Sequence, residues 1–378
     1  MIWLTILLSL TFLSGLFFLF PVLATLIYKS EHDSKDLSKS SLQTIRSLDI
    51  LIPCHNEHGR LKTTLRAVSV AVAQAHLLFP DIKIQITVGL DACTDESLSD
   101  TLGFDVKIRN FDFKSKWKVL CELTANSNAD WIAFVDAGCA WDSRLLRNAI
   151  PYFMMRQVMC VAPRYHVPGS GLAARVFWTI EAWLKTLENR SGGPVSVHGA
   201  TTFYRRRELI QALNLLAGRT WINDDVVIPM TLHMTCPQAK ILYARNRLAG
   251  FSVFDFAPRN SKFENIARAR IAHGNLQWIN HLLPLVWQWN QRTFLIAMRR
   301  VCRLFWSLVP LGFLLSFNLW MADLSRAHGV WQPLGVSLVV SALGLFILMR
   351  RPTFLASIRA LQSLWGMKKA SEEELKWS

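Results

Sequence analysis

The hydrophobic positions of this chain follow two different rhythms. Through the middle they come as short β-branched runs. "LDILIPC" at 48–54 and "IKIQITVGLD" at 82–91 have the length and composition of strands, and "RLKTTLRAVSVAVAQAHLL" between them has helical periodicity. Strand, helix, strand implies a right-handed parallel crossover. "FDVKIRN" at 104–110 continues the pattern as a short third strand, "KWKVLCELTANS" as a helix and "DWIAFVD" as a fourth strand. Such alternation predicts an α/β sheet buried on both faces. Further on, "SGGPVSVHGATTFYRRREL" at 191–209 opens on glycines and a proline and then reads as a strand, and "NSKFENIARARIAHGNLQWINHLLPLVWQWN" reads as helix turning interfacial.

Near the two ends the rhythm disappears. Ile2 to Tyr28, Leu304 to Ala322 and Val330 to Met349 contain no charged residue, and roughly 20 apolar residues suffice for a spanning helix. Three spans are therefore expected. The first reads as a retained anchor, because it lacks a basic n-region and exceeds the apolar stretch of a cleaved signal. Lys29, Lys35 and Lys39 follow it, Arg299, Arg300 and Arg303 precede the second, and Arg350, Arg351, Arg359, Lys368 and Lys369 follow the third. Positive loops stay inside, so the middle segment and C-terminus are expected to be cytoplasmic in an integral membrane protein, of the inner or plasma membrane in a bacterium. The chain divides into an anchor (1–29), a polar linker (30–46), a cytoplasmic α/β domain (47–275), an interfacial amphipathic segment (276–303), two spans (304–350) and a cytoplasmic tail (351–378).

Composition strengthens this picture: 51% of residues are hydrophobic, with 15 Trp and 22 Phe. The net charge of +15 suits anionic headgroups and anionic substrates; no nucleic-acid partner is expected. The seven cysteines form no CxxC pair and read as buried free thiols, neither a zinc site nor a disulfide framework.

The chemistry gathers at the strand ends. In parallel α/β sheets, ligands bind beyond the carboxyl ends of the strands, and three predicted strands end on acids: Glu57 in "PCHNE", Asp91 and Asp95 in "LDACTDES", and Asp136 in "VDAG". Each alone reads as a turn or helix cap. Three at successive strand ends point to a shared ligand.

"LIPCHNE" (51–57), "VGLDACTDES" (88–97), Lys116 in "KSKWKVL", "FVDAG" at the place of an Asp-x-Asp motif and "WINDDVVIP" (221–229) occur in the order of the family 2 glycosyltransferases, which the chain resembles over residues 48 to 280. The resemblance implies a GT-A fold, Rossmann-like with a mostly parallel sheet. It also implies nucleotide contacts from Pro53, Glu57, Asp91 and Lys116, phosphate and metal contacts at Asp136, and a general base among Asp224 and Asp225. Two departures stand out. Gly138 replaces the second Asp of the motif, and "ARARI" (267–271) keeps Arg270 but lacks the Gln and Trp of the family's Gln-x-x-Arg-Trp, which favours a single addition over a processive one.

The residue types suit these roles. Asp136 can hold Mg2+ or Mn2+, hard ions that prefer oxygen, with water, diphosphate oxygens and Asp142 completing the shell. The competing reading leaves the metal weak and gives more of the charge to Arg268 and Arg270, which equally read as salt-bridged or lipid-facing. Asp225 is the expected base for an inverting transfer, against the reading in which Asn223 and Asp224 cap an apolar helix. His198 reads as packing or hydrogen-bonding, and Arg205 to Arg207 as a solvated face or a substrate clamp.

The function expected is a membrane-bound transfer of one sugar from a UDP- or GDP-sugar to a lipid or lipid-linked acceptor. The alternative is a non-catalytic relative serving as a scaffold or binding subunit. A nucleotidyltransferase is a third reading, and the absence of a Gly-rich phosphate loop near the first strand counts against it.

Overall fold

The structure, a computed structural model, describes residues 15, 19–27, 42–168, 172–238, 240–244, 250–255, 261–306, 309–329 and 331–349. The first strand, β1 (Ser47–Cys54), alternates into both layers and buries Leu48, Ile50 and Ile52 on one side and Leu51 on the other. Fully burying each such side chain is worth about 1.5–3 kcal/mol. Helix α1 (Arg60–His76) packs Leu61, Leu65, Val68, Ala71 and Ala75 on the sheet and returns the chain to β2 (Lys83–Asp91), which runs parallel to β1 with Ser47 opposite Lys83 and Pro53 opposite Gly89. The predicted crossover is therefore present. β3 (Lys107–Phe111), α2 (Lys116–Ala125) and β4 (Trp131–Val135) follow in the expected order.

The remaining strands are β5 (Cys139–Trp141), β6 (Val158–Ala162), β7 (Arg164–His166), β8 (Thr201–Arg205), β9 (Lys240–Tyr243) and β10 (Ser252–Asp255). The main sheet has the order β3-β2-β1-β4-β8-β6-β9, and a small second sheet has the order β5-β10-β7. In the main sheet β8 runs antiparallel to both neighbours, while the other pairings are parallel. Pro53 sits in a central strand without costing a ladder bond to β4, because the β1–β4 pairing covers only Leu48 to Leu51. The helices are α3 (Leu145–Phe153), α4 (Leu172–Glu188), α5 (Arg206–Leu215), α6 (Asp224–Thr235), α7 (Ser261–His281), α8 (Leu283–Trp289), α9 (Gln291–Trp306), α10 (Val309–His328) and α11 (Gln332–Met349). Trp278, Val286, Ile296 and Ala297 from α7, α8 and α9 are buried in the same core as Ile132, Tyr204 and Val227. The segment read as interfacial is thus packed onto the α/β unit, although Trp287 and Trp289 remain exposed.

The expected transmembrane helices, and with them the integral membrane localisation, are overturned. Among the described residues no helix is long and apolar enough to cross a membrane. The uncharged run 304–322 is divided between the end of α9 and the start of α10, and α10 goes on to include Asp323, Arg326 and His328. Asn318 in its middle donates to Ser341 Oγ at 2.6 Å and accepts from Ser337 Oγ at 3.0 Å, tying α10 to α11 as a helical hairpin. Of the first run only Gly15 and residues 19–27, helical, are described; the rest of the anchor, linker residues 30–41 and the tail 351–378 lie outside the described residues.

Candidate active site

The carboxyl edge of the sheet brings together residues far apart in sequence. Asp91, the last residue of β2, is fully buried. Its Oδ1 accepts the Phe113 and Lys114 N–H groups at 2.7 and 3.0 Å, and its Oδ2 accepts the Ser115 N–H at 2.7 Å. Those bonds set the loop that starts α2, where Ser115 accepts the Lys118 N–H as N-cap. Lys116, the first residue of the helix, is thereby aimed across the edge. Its Nζ lies 2.7 Å from Asp136 Oδ1 and 3.3 Å from Asp224 Oδ2.

Asp136 directly follows β4, and its N–H donates to the Ala200 carbonyl at 3.0 Å, which locks the end of β4 to the segment entering β8. Gly199 in that segment separates two acids: a Cβ there would lie 3.5 Å from Asp136 Oδ2 and 3.9 Å from the Asp225 Cβ. Burial pushes the Asp136 carboxyl above its usual range against the pull of Lys116, with Asp224 adding to the rise and Arg270 opposing it. Lys116 feels the reverse: burial works against its ammonium, but Asp136 and Asp224 outweigh that and hold its pKa above the ordinary value. Asp225 is also raised by burial, opposed first by Arg300.

Asp224 and Asp225 open α6, but Asn223 does not cap it. Its Nδ2 donates instead to the Ile271 carbonyl at 3.1 Å and to Asn275 Oδ1 at 3.0 Å, which ties α6 to α7 and leaves the capping reading without its bond. Arg270 on α7 is close enough to act on Asp136. The Arg268 side chain lies outside the described residues. Pro53 is buried at the end of β1. Glu57 lies beyond it, with Arg60 Nη1 2.5 Å from its Oε2; burial pushes the Glu57 carboxyl to about 7 despite Arg60. Asp95 has the cap role, accepting the Ser97 N–H at 3.1 Å and the His58 N–H at 2.9 Å. Asp142 accepts the Arg144 N–H at 2.9 Å at the start of α3.

At Gly138 the backbone has φ +92°, and an added Cβ would sit 2.3 Å from Arg60 Nη2. The Arg60 guanidinium thus covers the place of the second Asp, and it also donates to the Ala137 carbonyl at 3.4 Å. Non-glycine residues with positive φ, Asn56, Ala92 and Lys114, flank the same edge. Backbone held in that sparsely populated region tends to gather where a site demands it.

A second, buried charged layer lies behind the acids and was not anticipated. Lys185 on α4 donates to the Ser196 and Val197 carbonyls at 2.7 and 3.1 Å, and Arg300 on α9 donates to Ser196 Oγ. Val197 in turn donates its N–H to the Asp225 carbonyl at 2.9 Å. Arg299 is paired with Glu181 at 2.8 Å and with Glu188 at 2.9 Å, all three essentially without exposure. Burial lowers Lys185 to about 7. The one signal in sequence was the spacing of Glu181, Lys185 and Glu188, which repeats at i, i+4 and i+7 and puts all three on one helix face. Arg205, read as a solvated face or clamp, is turned inward onto the carbonyls of Met155, Arg156 and Val158.

No family model matches the chain, and no curated protein matches it in sequence. In three dimensions it is similar to the mannosyltransferase PcManGT from Pyrobaculum calidifontis, in complex with GDP-Man and Mn2+, with TM-score 0.63 at 16% identity over 96% of this chain and 99% of that one. S. aureus TarS 1-349 in complex with UDP matches over 61% of this chain and 65% of its own at 12% identity, TM-score 0.41. Glucosyl-3-phosphoglycerate synthase from Mycobacterium tuberculosis matches over 60% of this chain and 76% of its own at 14% identity, TM-score 0.37. The first likeness, which spans nearly both chains, shows that this chain has the GT-A glycosyltransferase fold.

Proposed function

We propose that this chain transfers a single sugar, with inversion, from a UDP- or GDP-sugar to a lipid or lipid-linked acceptor. The observation that carries the reading is the convergence of Lys116, Asp136 and Asp224 within 3.3 Å of one ammonium, with Asp225 across Gly199 from Asp136. The acceptor hydroxyl attacks the anomeric carbon and gives its proton to the Asp225 carboxylate, while the bond from that carbon to the diphosphate oxygen breaks and leaves its electron pair on the diphosphate. Burial makes Asp225 a stronger base than an exposed carboxylate. Lys116 and Arg270 place positive charge where the leaving group turns negative, Glu57 and Pro53 line the nucleotide side, and Asp91 acts there by fixing the loop that carries Lys116.

Mg2+ or Mn2+ belongs to this reading. Among the described residues no three His, Cys, Asp or Glu side chains stand together as a metal cage. Ions that bind with a nucleotide use one or two carboxylates plus substrate phosphates and water, and Asp136, with Asp224 facing it across Lys116, fits that smaller demand. The ion supplies further positive charge for the diphosphate. A lipid portion of the acceptor is supported by an open groove of 380 Å3 between α7, α8 and α9, lined by Ile279, Leu283, Pro284, Trp287, Gln288 and Phe294.

Asp225→Asn is the test. Transfer should fall by about 10^2- to 10^4-fold with donor binding and melting temperature kept, because the Val197 bond is to the Asp225 backbone. Unchanged turnover would remove Asp225 as the base, and a chain that binds no nucleotide sugar under any metal condition would turn the reading towards a scaffold.

A further inference from the structure

Next to the acids stands a cluster of rings that no step above uses. The His198 ring, one residue before Gly199, stacks on Tyr165 at 4.9 Å between centroids and meets the Trp178 ring edge-on at 5.6 Å. Tyr165 and Trp178 meet at 5.1 Å, and His198 Nε2 lies 3.2 Å from the Tyr243 hydroxyl. The Tyr165 hydroxyl donates to Asp255 Oδ2 at 2.6 Å, and Asp255 pairs in register with Cys139, three residues beyond Asp136. Tyr243 is buried, whereas Tyr165, Trp178, His198 and Asp255 are each half-buried.

The order of strands says which side of the reaction this cluster occupies. Along the edge β3-β2-β1-β4-β8-β6-β9, Lys116, Asp91 and Glu57 belong to the β3, β2 and β1 half. Asp136 stands at β4 in the middle. His198 enters β8, Tyr165 follows β6, and Tyr243 ends β9, so the rings lie on the far side of Asp136 from the nucleotide half. An inverting attack comes from the face opposite the leaving diphosphate, which is this side.

We propose that these residues form the acceptor subsite and that the acceptor presents a sugar ring there, as a free glycan end or the terminal sugar of a lipid-linked saccharide. Partly exposed rings beside one carboxylate match a pyranose, whose C–H faces lie on aromatic surfaces while its hydroxyls take polar partners. A bare prenyl or acyl alcohol needs neither the imidazole nor Asp255. The inference rests on the transferase reading for the identity of the site, but saccharide binding is measurable without any donor.

The experiment uses the full chain. Saturation-transfer NMR with methyl glycosides of mannose, glucose, galactose and N-acetylglucosamine, in the absence of donor, should show ring protons of at least one of them in contact with the protein. The signal should be lost in Trp178→Ala and Asp255→Asn and kept in Trp178→Phe, which retains a ring and guards against misfolding. With donor present, KM for that saccharide should rise about tenfold in Trp178→Ala, while nucleotide release without acceptor stays within about twofold of wild type. A free saccharide and a lipid-linked one compared as acceptors separate the two sources. Binding that survives both Trp178→Ala and Asp255→Asn, or transfer to a sugar-free lipid alcohol with no saccharide bound, overturns the proposal. If Asp225→Asn leaves turnover intact while saccharide binding follows Trp178, the assigned base fails and the subsite stands.

Discussion

The Lys116 ammonium lies 2.7 Å from the Asp136 carboxylate, and the same nitrogen is 3.3 Å from Asp224. One cation therefore holds two acids that would otherwise repel each other across the site. Lys116→Gln keeps the helix, since Ser115 and Asp91 fix its start through backbone bonds, but removes the charge. Affinity for UDP or GDP should drop about 10- to 100-fold, read by calorimetry on the folded variant, and the melting temperature should fall because the two acids lose the cation between them. Full nucleotide affinity in the variant would show that Lys116 serves only the two acids.

Gly138 stands where the resembled family has its second Asp, yet restoring that Asp should harm the protein. A side chain there must adopt φ +92° and displace the Arg60 guanidinium. Gly138→Asp should cost about 1–3 kcal/mol, seen as a lower melting temperature, without tighter Mn2+ binding in the nucleotide complex. A stable variant with stronger metal binding would sink this account.

Glu57 makes stability depend on pH in a known direction. Its carboxyl is raised from 4.5 to about 7 in the fold, by burial first. The folded state thus keeps a proton that the unfolded state gives up. The contribution is fully present below pH 4.5 and is lost as pH rises through about 7, worth at most about 3 kcal/mol. Urea unfolding from pH 4.5 to 8 should show this fall in the wild type and a flatter profile in Glu57→Gln; parallel profiles would contradict it.

Arg299 should be among the most sensitive positions outside the site. Truncating it to Met leaves Glu181 and Glu188 buried without their cation, at about 3–5 kcal/mol. Replacing all three with apolar residues of similar volume should recover much of that stability. Equal losses in the single and triple variants, measured by chemical denaturation, would argue against the ion triad as the cause.

The legible part of the site is the part that repeats locally. Glu57, Asp91 and Asp136 follow β-branched runs, and the rule that ligands gather beyond strand ends placed them correctly on one edge. Asp91 nevertheless carries its weight through three backbone N–H groups, which no local pattern announces. Arg60 and Lys185 escaped notice because each sits in an amphipathic helix, where a charged residue ordinarily marks the solvent side. The uncharged run 304–322 misled for a related reason: hydropathy counts residues in a row, whereas the fold divides that row between α9 and α10 and carries α10 on through Asp323, Arg326 and His328.

By itself, the sequence determined the succession of strands and helices from Ser47 to Val135 and the types of residue at the strand ends, because hydrophobic period and turn chemistry act over a few neighbours. Only the tertiary structure decided which charges meet. Lys116 reaches Asp224 across 108 residues of chain, and Lys185 faces inward because the Ser196 and Val197 carbonyls take its ammonium. Burial and charge pairing depend on what the whole fold brings together, so they are settled by packing and not by sequence distance.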